Sequence, residues 1–155
     1  MVEQVNKQNA WYTAFKNFVN SINYDIDCAF PAKVVKYDKS QHLADIQPLN
    51  NFSDGSNKAQ LLDVPVNACC YEFDEWLASV KADFAKVDAY ADDKGIPIAS
   101  SFVSKIPKPL MHTGATVVAI VLDHDTDDWD GTAKPYTPAT KRQHDINDSI
   151  IMGVI

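Results

Sequence analysis

Apolar residues in the first part of the chain recur at helical spacing. Trp11, Phe15, Phe18, Val19 and Ile22 are separated by four, three, one and three positions, which sets them on one stripe. Asn6, Lys7, Gln8, Lys16 and Asn20 fall on the other side. The pattern predicts a helix over residues 5–23, set apart as an N-terminal element at 1–24, whose stripe docks on its own domain or on a partner subunit. The period then shortens. Residues 32–37 (AKVVKY) and 42–47 (HLADIQ) read as strands joined by the turn residues Asp38-Lys39-Ser40-Gln41, which predicts a hairpin. Pro31 and Pro48 bracket it, at strand ends where no ladder N–H is needed. Residues 50–60 form a polar loop with an Asp54-Gly55 turn signal. A third strand is expected over 61–70, where Leu62, Val64 and Val66 alternate with Asp63, Pro65 and Asn67.

The helical period returns at 72–94. Phe73, Trp76, Leu77, Val80, Phe84, Val87 and Tyr90 repeat at threes and fours. Glu72, Asp74 and Glu75 crowd the end where the macrodipole is positive, and Lys94-Gly95 followed by Pro97 is a stop signal. This is a helical insertion, at about 71–95, between strands. After Pro97, Pro107, Pro109 and the turn residue Gly114, the run Thr116-Val117-Val118-Ala119-Ile120-Val121-Leu122 has no polar alternation. Such a run predicts a strand covered on both faces, the outer one by the inserted helix or by a neighbouring subunit. The polar stretch 140–149 then gives way to Ile150-Ile151-Met152-Gly153-Val154-Ile155. An uncharged, β-prone end left in water is an aggregation hazard, so it demands a partner surface. The elements together predict a mainly β chain with helices, of the α+β class.

Composition narrows the possibilities without naming one. At 155 residues, 46% hydrophobic and 23% charged, the chain is the size of one ordinary globular domain with a real core. A net charge of −7 argues against a free-standing nucleic-acid binder, which needs a basic face to neutralise phosphates. No apolar run approaches the ~18 residues that span a bilayer. The start, MVEQVNKQNAWYTAF, lacks the pattern of a secretory leader, so a soluble protein made in the cytosol is expected. Cys28, Cys69 and Cys70 fit no metal-ligand spacing and are expected to be small buried thiols.

Candidate chemistry is sparse. The alternating acids Asp123, Asp125 and Asp127 resemble the start of a calcium loop, but Asp128 stands where that loop requires glycine and Lys134 where it requires glutamate. The stretch 123–130 therefore reads as a solvated acidic loop. His42, His112, His124 and His144 lie in different segments, outside any metal or triad signature. Glu72, Asp74 and Glu75 read as helix-terminal electrostatics. Lys33, Lys36, Tyr37 and Lys39 form the single local basic group, a weak pointer to single-strand nucleic-acid binding. No catalytic, cofactor-binding or metal-binding residue is assigned, no cofactor is expected, and no enzymatic activity is expected.

One resemblance spans several of these segments. Residues 25–38 (DIDCAFPAKVVKYD), continued by 41–49 (QHLADIQPL), together with 61–66 (LLDVPV), the strand led by Gly114, and 142–149 (RQHDINDS) with the apolar 150–155, resemble in order the N-terminal OB-type domain of the phage baseplate central-spike proteins of contractile tails. The pieces cover about half of the chain. The resemblance implies a small five-stranded OB barrel over 25–140, interrupted by the helical insertion, and a C-terminal segment 141–155 leading to a spike attachment or trimer contact. It implies a homotrimer that plugs the tail tube and takes part in puncturing the host envelope without catalysis. Implied partners are the other baseplate, hub and tail-tube proteins, and the location is the virion after assembly in the host cytoplasm. Members of that family usually continue into a trimeric β-helical needle, and this chain stops at Ile155. The tip is therefore expected on a separate spike-tip chain, or the protein is a short hub-like plug. The rival readings are an OB-fold nucleic-acid-binding module and a tail-associated cell-wall hydrolase.

Overall fold

The short strands that the period predicts pair side by side in one five-stranded sheet. The computed structural model describes residues 2–24, 26–98 and 100–155, with side chains described except at 2–8 and 24. Helix α1 is Val2–Tyr24, and strands β1 (Ala29–Asp38), β2 (Leu43–Pro48) and β3 (Leu61–Pro65) follow. Helix α2 is Glu72–Asp93, followed by β4 (Thr116–Val121) and β5 (Ser149–Val154). The chain is α+β, a curled five-stranded antiparallel sheet with two helices, in the order β3-β2-β1-β4-β5. Edge meets edge beyond β3: Val66 and Ile151 form a parallel bridge, and the Asn67 N–H donates to the Ile151 carbonyl at 2.9 Å. Among the described residues no helix is long and apolar enough to cross a membrane.

The hairpin forms where the turn chemistry sits. β1 and β2 are antiparallel, with Lys33 opposite Gln47 and Asp38 opposite Leu43. The Asp38 carboxylate accepts from the Ser40 N–H (2.9 Å), the Ser40 hydroxyl (2.7 Å) and the Gln41 N–H (3.2 Å), so one side chain satisfies the turn. Register shifts between Val34 and Lys36, and between Ala44 and Ile46, are irregularities of the kind that sharpen twist and help a sheet curl. Gly114 enters β4 at φ +93°, a conformation side chains resist, and its N–H donates to Val34 at 2.8 Å. The β3 expectation of 61–70 is too long. Pro65 ends the ladder, and Asn67 caps a 3₁₀ turn over Ala68–Cys70 by accepting from the Cys69 N–H at 3.0 Å.

The coordinates fall into two compact units, Phe30–Ile120 with Ile150–Ile155, and Met1–Ala29 with Val121–Ser149. In the first, which holds the body of the sheet, alternation places Phe30, Ala32, Val34, Ala44, Ile46, Val117, Ala119 and Ile151 in the core. Val118 and Ile120 are only half-buried, so β4 is not covered on both faces as its apolar run implied. The C-terminal segment is tied down: it forms β5, and the Ile155 N–H donates to Thr116 at 2.9 Å, while the Ile155 side chain stays 77% exposed. α2 lies against its own flanking loop. Phe84 stacks on Phe102, and the Asp88 carboxylate accepts from the Phe102 and Val103 N–H groups at 2.7 and 3.1 Å. Phe73, Trp76, Val87 and Tyr90 on the same helix remain exposed, so most of its stripe is not spent on covering β4.

The second unit is built differently. Among its described residues the buried ones are Asp125, Asp148 and Ser149, all polar, and every side chain from 9 to 23 on α1 is exposed. The expectation that α1 docks on its own domain is overturned. Its stripe has no partner among the described residues.

Candidate functional site

The residues that organise the second unit come from three stretches of irregular chain. Asp125 and Asp148 are buried, at 0% and 1% exposure, and Arg142 lies between them. The Arg142 guanidinium binds Asp148 through two parallel bonds, Nε to Oδ2 and Nη2 to Oδ1, each 2.8 Å. This fork-on-carboxylate geometry is the strong form of an ion pair. Nη2 also reaches Asp125 at 3.2 Å and the exposed Asp127 at 3.3 Å. The remaining lone pairs are filled. Asp148 accepts from the Thr126 N–H (3.0 Å) and hydroxyl (3.1 Å), and Asp125 accepts from the Asp127 N–H (2.9 Å), the Thr140 N–H (3.0 Å) and the Thr140 hydroxyl. The Leu122 N–H donates to the Asp148 carbonyl at 2.8 Å, which fastens the loop to the residue just before β5.

Electrostatics follow from this wiring. The Thr140 hydroxyl and the Asp127 N–H, more than the guanidinium, hold the Asp125 carboxyl below the usual carboxylate range. At Asp148 desolvation pushes upward, and the Arg142 and Thr126 hydrogen bonds outweigh it, so this carboxyl also stays low. The same contacts raise Arg142 further above its already high value. Oxygens of Asp125, Asp127 and Asp148 lie within 4.8 Å of one another, close enough to hold a metal ion. The guanidinium already supplies the positive charge that this trio requires.

The sequence reading of this region is corrected in two respects. The stretch 123–130 is not a solvated loop throughout, since Asp125 is buried. The alternating acids do not converge as in a calcium loop either. Asp123 turns instead to two histidines, its carboxylate lying 2.7 Å from His124 Nδ1 and 3.1 Å from His144 Nε2. The fold thus brings together His124 and His144, which the linear sequence keeps 20 positions apart. Nothing in the spacing pointed to Arg142 as their neighbour's anchor. The only signal was that residues 142–149 stand out as a polar run directly before an apolar one.

The first unit carries a separate hollow of about 240 Å³, lined by Tyr37, Tyr71, Asp74, Glu75, Met111 and His112 among others. His42 stacks flat on Tyr71, with ring centres 3.7 Å apart and 4° between planes. Burial, with the Glu75 charge adding to it, pushes the Tyr37 hydroxyl up to about 12. Asp74 is engaged by the Leu110 N–H at 2.6 Å, so it fixes the loop wall. Of the local basic group, Tyr37 and Lys39 both line this hollow. The thiols also depart from expectation. Cys28 and Cys69 are exposed and only Cys70 is buried, its thiol pushed up to about 11 by desolvation and by Cys69.

Several large apolar side chains are exposed. On α1, Trp11, Tyr12, Phe15 and Phe18 are 79, 68, 67 and 63% exposed. Soluble monomers rarely show contiguous patches of this kind unless a partner covers them. No protein-family model matches the chain, and no curated protein matches it either.

Proposed function

We propose that this chain is a structural component of a phage or phage-like tail baseplate, a central spike or hub protein whose OB-type barrel stands on the tail axis and plugs the tube. Three copies assemble around that axis with other baseplate and tail-tube proteins, and the role in envelope puncture is mechanical and not catalytic. The observation that carries this reading is where the resembling segments fall. The segments 25–38 and 41–49 contain the β1–β2 hairpin (29–48), 61–66 contains β3 (61–65), the run after Gly114 contains β4, and 142–155 holds the Arg142–Asp148 lock followed by β5.

The strand order supports the OB-type barrel. β1 pairs with both β2 and β4, the Val66–Ile151 bridge joins the two ends of the sheet, and α2 falls between β3 and β4. The exposed apolar residues of α1, α2 and the C-terminal Ile155 support a subunit that works in an assembly. Tail particles purified from a host carrying the gene test the proposal. The expected result is the chain present by mass spectrometry, with threefold axial density below the tube into which the sheet fits. Absence of the chain from assembled tails, or peripheral density only, refutes it.

A further inference from the structure

Between residues 9 and 23, α1 carries a single charge, Lys16. Its apolar residues keep a seven-residue repeat, with Phe15 and Ile22 at the first position and Trp11 and Phe18 at the fourth. Tyr12 and Val19 widen the seam on one side, and Ala14 and Ser21 border it on the other. All of these described side chains are exposed. Lys16 and the polar Asn9, Thr13, Asn17 and Asn20 take the outward positions of the repeat.

A helix of this composition does not hold itself together in water. Asparagine, threonine and β-branched residues are weak helix formers, and helices in proteins draw their stability mainly from packing an apolar face. The buried residues of its own unit are polar, so no apolar floor receives it among the described residues. The chemistry of the seam selects its occupant. Over residues 9–23 neither flank carries a charge, so along this stretch identical copies meet without repulsion, and no pattern of opposite charge calls for a different partner. A membrane surface is disfavoured by the same fact, because interfacial helices carry a lysine- or arginine-rich polar face. The extra apolar positions beside the seam would stay wet in a two-stranded coil and are covered when three helices meet. Trp11, Phe15 and Phe18 alone bring about 450–750 Å² per copy, close to the ~800 Å² per partner of a standard interface.

We infer that α1 is the self-association element of this protein: three copies bring their α1 helices together in a parallel bundle whose core is Trp11, Phe15, Phe18 and Ile22. The inference deepens the proposed axial assembly and rests on it for the count of three.

Sedimentation equilibrium of the full chain, with far-ultraviolet circular dichroism, tests this. The expected result is a trimer at micromolar concentration that F15E/F18E converts to a monomer up to about 100 µM. The same variant loses roughly half of the helical signal, because freed α1 unwinds while α2 remains. N17E/N20E, on the outward face, stays trimeric with full helicity. A wild-type chain that is monomeric or dimeric over this range overturns the inference, as does a monomer that co-sediments with phosphatidylcholine/phosphatidylglycerol vesicles. A trimer that survives F15E/F18E also overturns it, while the baseplate reading stands or falls separately on the particle density. Should F15E/F18E alone aggregate, the concentration dependence of wild-type helicity decides: loss of helix on dilution supports the bundle, and constant helicity overturns it.

Discussion

Substituting Asp148 by asparagine changes one oxygen for an N–H and removes one charge, in a side chain that accepts four hydrogen bonds. Two come from Thr126, at 3.0 and 3.1 Å, and two from Arg142, both at 2.8 Å. An amide whose carbonyl takes the Oδ1 place keeps the Thr126 pair and Arg142 Nη2, but its N–H₂ then faces Arg142 Nε, donor against donor. Turned the other way, it fails Thr126 instead. Removing one partner of a fully buried ion pair costs about 3–5 kcal/mol. Here Arg142 is 27% exposed and retains Asp125 and Asp127 within 3.3 Å, so part of its charge stays compensated. The expected loss is thus at the lower end, about 2–3 kcal/mol. For a chain of this size that is a drop in Tm of roughly 5–10 °C. Urea unfolding followed by circular dichroism measures it, with D130N as the comparison. Asp130 also accepts hydrogen bonds, from Thr132, but in an exposed turn with no ion pair. A D148N midpoint indistinguishable from that of D130N refutes the claim that the Arg142 cluster holds the 121–149 segment together.

Other outcomes follow from the same contacts. Asp125 and Asp148 titrate lower in the folded chain than in the unfolded one, so their contribution is complete above about pH 4 and is lost as pH falls through their folded values. Thermal melts should be flat from pH 7 to 5 and fall below pH 4, with a shallower acid limb in R142M. Ile46, fully buried in β2, should lose about 2–5 kcal/mol on I46A, read as a lower urea midpoint. Iodoacetamide at pH 7.5 should label Cys28 well before Cys70, whose buried thiol sits near 11, and peptide mapping resolves the two. Equal labelling would mean that the 3₁₀ turn opens readily.

Period and punctuation located most elements to within a few residues. Leu43–Pro48, Glu72–Asp93 and Thr116–Val121 lie almost where the patterns placed them, because each pairs a clear repeat with a turn or stop signal. The overlong β3 shows the weakness of alternation past a proline, where a side-chain cap at Asn67 outweighs the pattern. The six-residue apolar run of β4 reads as doubly covered, yet its outer residues are only half-buried, since apolarity states what a strand tolerates and not what packs on it. The Arg142 cluster was illegible for a different reason. Arg142 lies 6 to 17 positions from its carboxylate partners in irregular chain, where no period relates one to the next. Acids at 123, 125 and 127 invited a common role, and the backbone sends Asp125 and Asp127 to Arg142 but turns Asp123 to the histidines.

The polar interior of the 121–149 segment has a thermal consequence. Heat capacity rises when hydrocarbon meets water and falls slightly when polar groups do, at about +0.45 and −0.26 cal/mol/K per Å². A segment whose fully buried side chains are Asp125, Asp148 and Ser149, with Val121, Leu122 and Ile146 only half-buried, therefore has a flatter free-energy curve against temperature than the sheet, which has the usual dome. Cooling weakens burial-driven packing and leaves the guanidinium lock almost untouched. Near freezing the ion-paired loop, and not the sheet, is the part of this protein least altered.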